Sequence, residues 1–263
     1  MKIIDVHTHA FADALAQRAM AALEAKAATT AFLNGTIQAL LESMDAAGIS
    51  RSVVHSIATR PSQFLPILQW SEKIRSDRII PFPSVHPADP EASENIRRIR
   101  EAGFRGVKLH PHYQDFVLDD AEMDPLYAAI RENGLAVLCH TGFDMAYPRD
   151  SRAEPRRIVN VLRRFPGLCF ICSHCGAWCD WDEVRRHLQG HPVWIETSFS
   201  LECMDATSVR ELLMGHPAEY LMFGTDSPWT DQTQAIALVR RLNLGSPREE
   251  LLLGGNATRL LAL

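Results

Sequence analysis

Strand-like apolar runs recur eight times along this chain, and no other feature narrows the fold as much. They are KIIDVHTH, SVVHSI, IIPFPSV, FRGVKLH, LAVLCH, LCFICSH, VWIETS and YLMFGTD. Each is apolar and too short for a helix. Helical segments with clear punctuation lie between them. Asp89 is expected to cap a helix with Pro90 in its first turn, Ile96 and Ile99 on one face and Gly103 beyond its end. Asp124, Pro125, Leu126, Ile130 and Gly134 repeat that grammar, and SPRE (Ser246 to Glu249) reads as a capping box. Strand and helix alternating eight times over about 250 residues predicts an α/β protein, a single distorted (β/α)₈ TIM barrel. One domain spans residues 1–263, with an irregular insertion around 10–48. A doubly wound open sheet would bring a glycine-rich loop after the first strand. HTHAFADALAQ stands there instead, without a glycine.

The strand ends carry the chemistry. The first run ends in His7 and His9, the fourth in Lys108 and His110, the fifth in His140, the sixth in His174 and the eighth in Asp226. A closed parallel barrel gathers all strand C-termini at one mouth, where barrel enzymes hold their active sites. Alternation predicts Asp5, His7 and His9 on one inward face, with Ile4 and Val6 packed on helices. Several imidazoles and a carboxylate at one mouth form a ligand set for zinc, or for manganese, nickel or iron.

With DVHTH, GVKLHP, HTG, the strand-end His140 and His174, FGTDSP and the closing GGNATRLL, the sequence resembles the amidohydrolase superfamily. The match is nearest to its amidohydrolase 2 branch, which also contains metal-dependent decarboxylases. The resemblance implies metal ligands at His7, His9, His140 and Asp226. It makes His174 either a ligand of a second metal or an acid/base and substrate-orienting group. Asp226 would also take the proton of the attacking water. The implied activity is metal-dependent hydrolysis of a small cyclic amide, lactone or carboxylic ester; the alternative is non-oxidative decarboxylation of a small carboxylic acid. Zinc is the expected cofactor, one ion, with a second only if Lys108 is carboxylated.

Lys108 sits between Val107 and Leu109, whose fit to the helix-packing face turns the lysine inward. A lone buried ammonium is costly. It is expected either to carry CO₂ as a carbamate between two metals or to pair with Asp5, Glu196 or a substrate carboxylate. Lys108, His112 and Trp229 are the expected substrate-binding residues. Tyr113, Gln114, Phe143, Tyr147, Trp178 and Trp181 follow strand ends and suit an apolar pocket wall or loop packing.

LCFICSHCGAWCD, residues 168–180, spaces four cysteines like a ferredoxin cluster run. Along a strand, Cys169 and Cys172 point to opposite faces, and Cys179 is followed by Asp180 where the cluster run usually has proline. Buried small hydrophobes account for them better. Six cysteines in 263 residues do not resemble a disulfide framework, and the start of the chain lacks a signal-like apolar run, which predicts a cytoplasmic protein. A net charge of −5 without a basic run gives no reason for nucleic acid or an anionic membrane as partner. The expected partner is a small-molecule substrate; a homodimer is left open.

Overall fold

Each of the eight runs is a β-strand in the computed structural model, which describes residues 2–263. The strands are β1 (Ile3–His9), β2 (Ile49–His55), β3 (Ile79–Phe82), β4 (Gly106–Leu109), β5 (Ala136–Cys139), β6 (Cys169–Cys172), β7 (Trp194–Glu196) and β8 (Leu221–Met222). The helices are α1 (Asp13–Ala27), α2 (Ile37–Ala47), α3 (Phe64–Ile74), α4 (Ala92–Glu101), α5 (Pro111–Gln114), α6 (Asp124–Glu132), α7 (Pro155–Arg164), α8 (Trp181–His187), α9 (Ala206–Gly215), α10 (Gln232–Arg241), α11 (Ser246–Glu250) and α12 (Asn256–Leu261).

All strand pairs are parallel, in the orders β1-β2-β3 and β4-β5-β6-β7-β8. Backbone bonds join the two arcs into a ring. Lys108 N donates to Pro83 O at 2.9 Å on one side, and Val6 N to Phe223 O at 2.8 Å on the other. The result is the expected (β/α)₈ barrel.

Two cores follow from strand alternation. Val54, Val107, Val137, Cys172, Ile195 and Leu221 face outward and pack on helix residues such as Leu40, Ile96, Ile130, Ile158 and Leu212. Val53, Phe82, Leu138, Ile171 and Met222 fill the barrel interior, and Ala257 and Leu261 of α12 pack on them. Gly106 belongs to this packing, because a Cβ there would overlap the Phe82 ring. Cys169 packs against the inner cluster and Cys172 lies in the outer core, so the barrel wall separates them as the sequence predicts.

Four local expectations change, the first being that Asp124, expected as a helix cap, is itself the first residue of α6, which has no side-chain cap. Residues 10–48 hold two helices, α1 and α2, rather than an irregular insertion. Asp89 lies before α4 and accepts from Glu91 N (3.0 Å) and Asn95 Nδ2 (3.1 Å), shaping a turn instead of capping the helix. Ser246 is already inside α11, which follows Gly245 at φ 86°, so no capping box forms. Side-chain caps do occur at Thr36 on α2, Asp205 on α9 and Asp231 on α10. Among the described residues no helix is long and apolar enough to cross a membrane.

Candidate metal centre

Alternation decides which side chains the barrel turns inward. With Val107 and Leu109 in the outer core, Lys108 points inward as expected. By the same step of two, Leu138 leads to His140, and Met222 leads through Gly224 to Asp226.

β1 departs from that rule. Ile4 and Val6 lie in the inner cluster, not against the helices. Asp5 is turned away from the mouth: it accepts from Thr225 N (3.0 Å), Thr225 Oγ1 (2.5 Å) and Gln232 Nε2 (2.8 Å), the last at the start of α10. Asp5 is therefore not the partner of Lys108. Pairing with β2 steps from Asp5↔Ser52 to Thr8↔Val54, which leaves one extra residue on β1. This bulge re-aims His7 and His9 into the mouth, a common use of bulges beside active sites.

Hydrogen-bond acceptors fix the tautomers of both rings. His7 Nδ1 donates to Glu196 Oε1 at 2.9 Å, and His9 Nδ1 donates to His55 O at 3.3 Å. Each Nε2 is thereby left with its lone pair, and the two face one another at 3.2 Å. Asp226 Oδ1 adds negative charge 3.5 Å from His7 Nε2 and 3.3 Å from His9 Nε2. Two lone pairs and a carboxylate converging on one point repel unless a cation sits there, and His₂-carboxylate is a common set for such an ion. The ligand atoms of His7, His9 and Asp226 all lie within 4.8 Å of one another. Gly224 makes room for Glu196 behind His7, since a Cβ there would overlap Glu196 Oε2. Asp226 itself adopts φ 68°, a left-handed conformation that aspartate tolerates better than most residues.

His140 and His174 form a second facing pair beside the first. His140 Nε2 donates to Phe143 O (3.1 Å) and His174 Nδ1 to Ser198 O (3.0 Å). That leaves His140 Nδ1 and His174 Nε2 lone pair to lone pair at 3.0 Å, again a place for a proton or a cation. The His7 and His174 rings are 5.4 Å apart, so the two pairs share one floor. Lys108 Nζ reaches it too, 3.0 Å from His7 Nε2.

Burial sets the electrostatics. Glu196 is fully buried and desolvation pushes it up, to about 8, while donors from Ser198 and the His174 backbone oppose the rise. Burial likewise pushes the Lys108 amine down to about 8, against the pull of Asp226. Desolvation, then the Lys108 charge, holds His7 well below the ordinary histidine value of 6.5; His140 is lowered by burial and by His110. Histidine ligates only when neutral. Because the folded pKa values lie below 6.5, acidification through 6.5 leaves these rings neutral, and bound metal should be released only at lower pH. Equilibrium dialysis of the metal-loaded protein between about pH 5 and 7.5 checks this; half-release at or above about 6.5 contradicts it.

The floor opens into a cavity of about 860 Å³. Lys108, Trp229, His140, His174 and Asp226 border it. His112, expected at the substrate, sits one layer back, as the second residue of α5 with Asp150 3.4 Å from its Nε2. Sequence reading missed three contributors: His55, whose carbonyl orients His9; Ser198, bonded to Glu196; and Asp144, 3.2 Å from His110 Nε2. His55 ends its strand as His7 and His9 end theirs, so it carried the same signal. Asp144 and Ser198 lie beyond strand ends and carried none.

Comparison with known proteins bears on the family and the fold. The family model described as Amidohydrolase matches residues 4–263. No protein of curated function matches the sequence. A TIM-barrel protein from Bordetella bronchiseptica superposes with a TM-score of 0.81 at 23% identity, over 100% of this chain and 99% of that one. A 5-carboxyvanillate decarboxylase from Sphingomonas paucimobilis gives 0.76 at 16% identity, over 100% and 99%. A manganese-bound 5-carboxyvanillate decarboxylase from Novosphingobium aromaticivorans gives 0.72 at 15%, over 100% and 97%. With the family model spanning nearly its whole length, the chain belongs to the amidohydrolase superfamily, in the amidohydrolase 2 branch.

Proposed function

We propose that this protein is a metal-dependent hydrolase of a small carboxylic ester, lactone or cyclic amide. The observation that carries the reading is the Asp226 carboxylate set against two inward Nε2 lone pairs. His7, His9 and Asp226 would hold the ion, with His140 and His174 completing its surroundings. A divalent cation held there, zinc by preference for this donor set, supplies Lewis acidity, polarising a carbonyl and lowering the pKa of water from about 15.7 towards about 7.

Asp226 takes the proton of the attacking water and returns it to the leaving group, acting as base and then acid. Lys108 Nζ lies 3.0 Å from His7 Nε2 and offsets negative charge that develops on the carbonyl oxygen. Glu196 holds the His7 ring in its ligating tautomer. All six cysteines are free, which supports a reducing, cytoplasmic setting.

A second reading is non-oxidative decarboxylation. It is favoured by the likeness to the two 5-carboxyvanillate decarboxylases and by Lys108, a cation suited to a substrate carboxylate. One assay separates the two. Zinc- and manganese-loaded protein is offered lactones, esters, cyclic imides and hydroxybenzoates, with acid release and CO₂ release followed together. CO₂ release without acid release from any ester or lactone overturns the hydrolase reading.

A further inference from the structure

The roof of the cavity is the segment between β1 and β2, and its composition differs sharply from the floor. Along α1, Leu15, Ala19 and Ala22 recur at helical spacing on the face that borders the cavity, while Ala16 and Met20 are buried on the neighbouring face. α1 spans about 22 Å. Near its far end Lys26 Nζ lies 3.7 Å over the Tyr147 ring and 4.6 Å over Tyr113, which ties the helix across the mouth. From the other side α3 contributes Pro66, Ile67 and Trp70. Among the described residues, Arg18 is the one charged side chain that α1 and α3 turn to this space.

An apolar helix face usually packs on protein. Here the face of α1 looks into a cavity continuous with the metal centre, and Leu15 is 47% exposed. The alanines leave room where larger side chains would fill the cavity. A volume of about 860 Å³ exceeds what a carbonyl group at the floor would occupy and lies in the ordinary range for whole small-molecule ligands.

We infer that the substrate carries an aliphatic hydrocarbon tail, which lies beneath α1 and against α3 while its carbonyl head meets His7, His9 and Asp226. The inference rests on the hydrolase reading for the head group and adds the chemical class of the rest of the molecule. It explains why the wall is apolar: binding energy comes from apolar area removed from water, not from directed bonds. The polar floor holds the head and sets the direction in which the tail enters.

The test is binding, not turnover. Zinc-loaded protein is titrated calorimetrically with acetohydroxamic, butanohydroxamic, hexanohydroxamic, octanohydroxamic and decanohydroxamic acids, which share one metal-seeking head. Affinity should rise roughly three- to fourfold per methylene until the cavity is full. Ala19→Phe and Ala22→Phe should each abolish the gain of the longer probes while the acetyl probe still binds. Melting curves and zinc content exclude misfolding, and the wild-type series stands without the variants. Equal affinity along the series, with firm binding of the acetyl probe, overturns the tail and leaves the metal centre intact. Tighter binding by phenyl-substituted probes of equal carbon number also overturns it, in favour of an aromatic substrate. If no probe binds fully zinc-loaded protein, the head-group reading falls and takes the tail with it.

Discussion

Asp226→Asn should keep its metal and lose turnover, by about 10²–10⁴-fold, whereas His7→Ala should lose the metal itself. The asymmetry follows from the roles of the two side chains. His7 presents a neutral nitrogen that faces the ion site beside His9 Nε2, and it is 1% exposed, so its removal opens the coordination sphere where water cannot readily repair it. An asparagine in place of Asp226 would still offer an oxygen near both Nε2 atoms, but an amide cannot take the proton of the attacking water. Metal analysis must accompany kinetics, because an empty site is also inactive. Full metal content with near wild-type turnover in Asp226→Asn would show that Asp226 is not the base. The proton would then have to pass to another group on the floor, and His174, whose Nε2 keeps its lone pair, is a candidate.

Glu196→Gln should weaken metal binding by about 10–100-fold although Glu196 is not placed as a ligand. Its carboxylate is fully buried and accepts from His7 Nδ1 (2.9 Å), His174 N (3.1 Å), Ser198 N (2.6 Å) and Ser198 Oγ (2.7 Å). All four groups donate to oxygen. A glutamine has one oxygen and one NH₂, so at least one of these donors would face another donor at a fully buried position. That orphaned group costs about 1–3 kcal/mol of stability. The His7 ring would also lose the acceptor that keeps its proton on Nδ1, freeing it to turn or to change tautomer. Metal titration against a competing chelator reads the first effect and urea unfolding of metal-free protein the second. Unchanged metal affinity together with lowered stability would restrict Glu196 to packing.

The barrel was legible in the chain because its information is local. Eight apolar runs with period-two alternation, separated by helical segments, can be read without knowing what touches what, and their polar ends mark the mouth. His7, His9, His140, His174 and Asp226 were found in that way, and so was the separation of Cys169 from Cys172. The same reasoning went astray wherever the outcome depended on a neighbour distant in sequence. Alternation alone assigns Asp5 to the inward face with the histidines. The tertiary structure sends it to Thr225 and Gln232, because the bulge opposite β2 adds a residue that the sequence of β1 does not announce. Helix propensity near residues 10–48 was likewise hidden: α1 carries its apolar residues on two adjacent faces, one towards the protein and one towards a cavity, so its periodicity is blurred. The tautomers of His7 and His9 were beyond the sequence altogether. They are decided by Glu196, 189 residues from His7, and by the carbonyl of His55, 46 residues from His9. Residue type determines which atoms are capable of holding a metal; only the folded chain, by placing an acceptor behind each ring, decides which lone pair is left to do so.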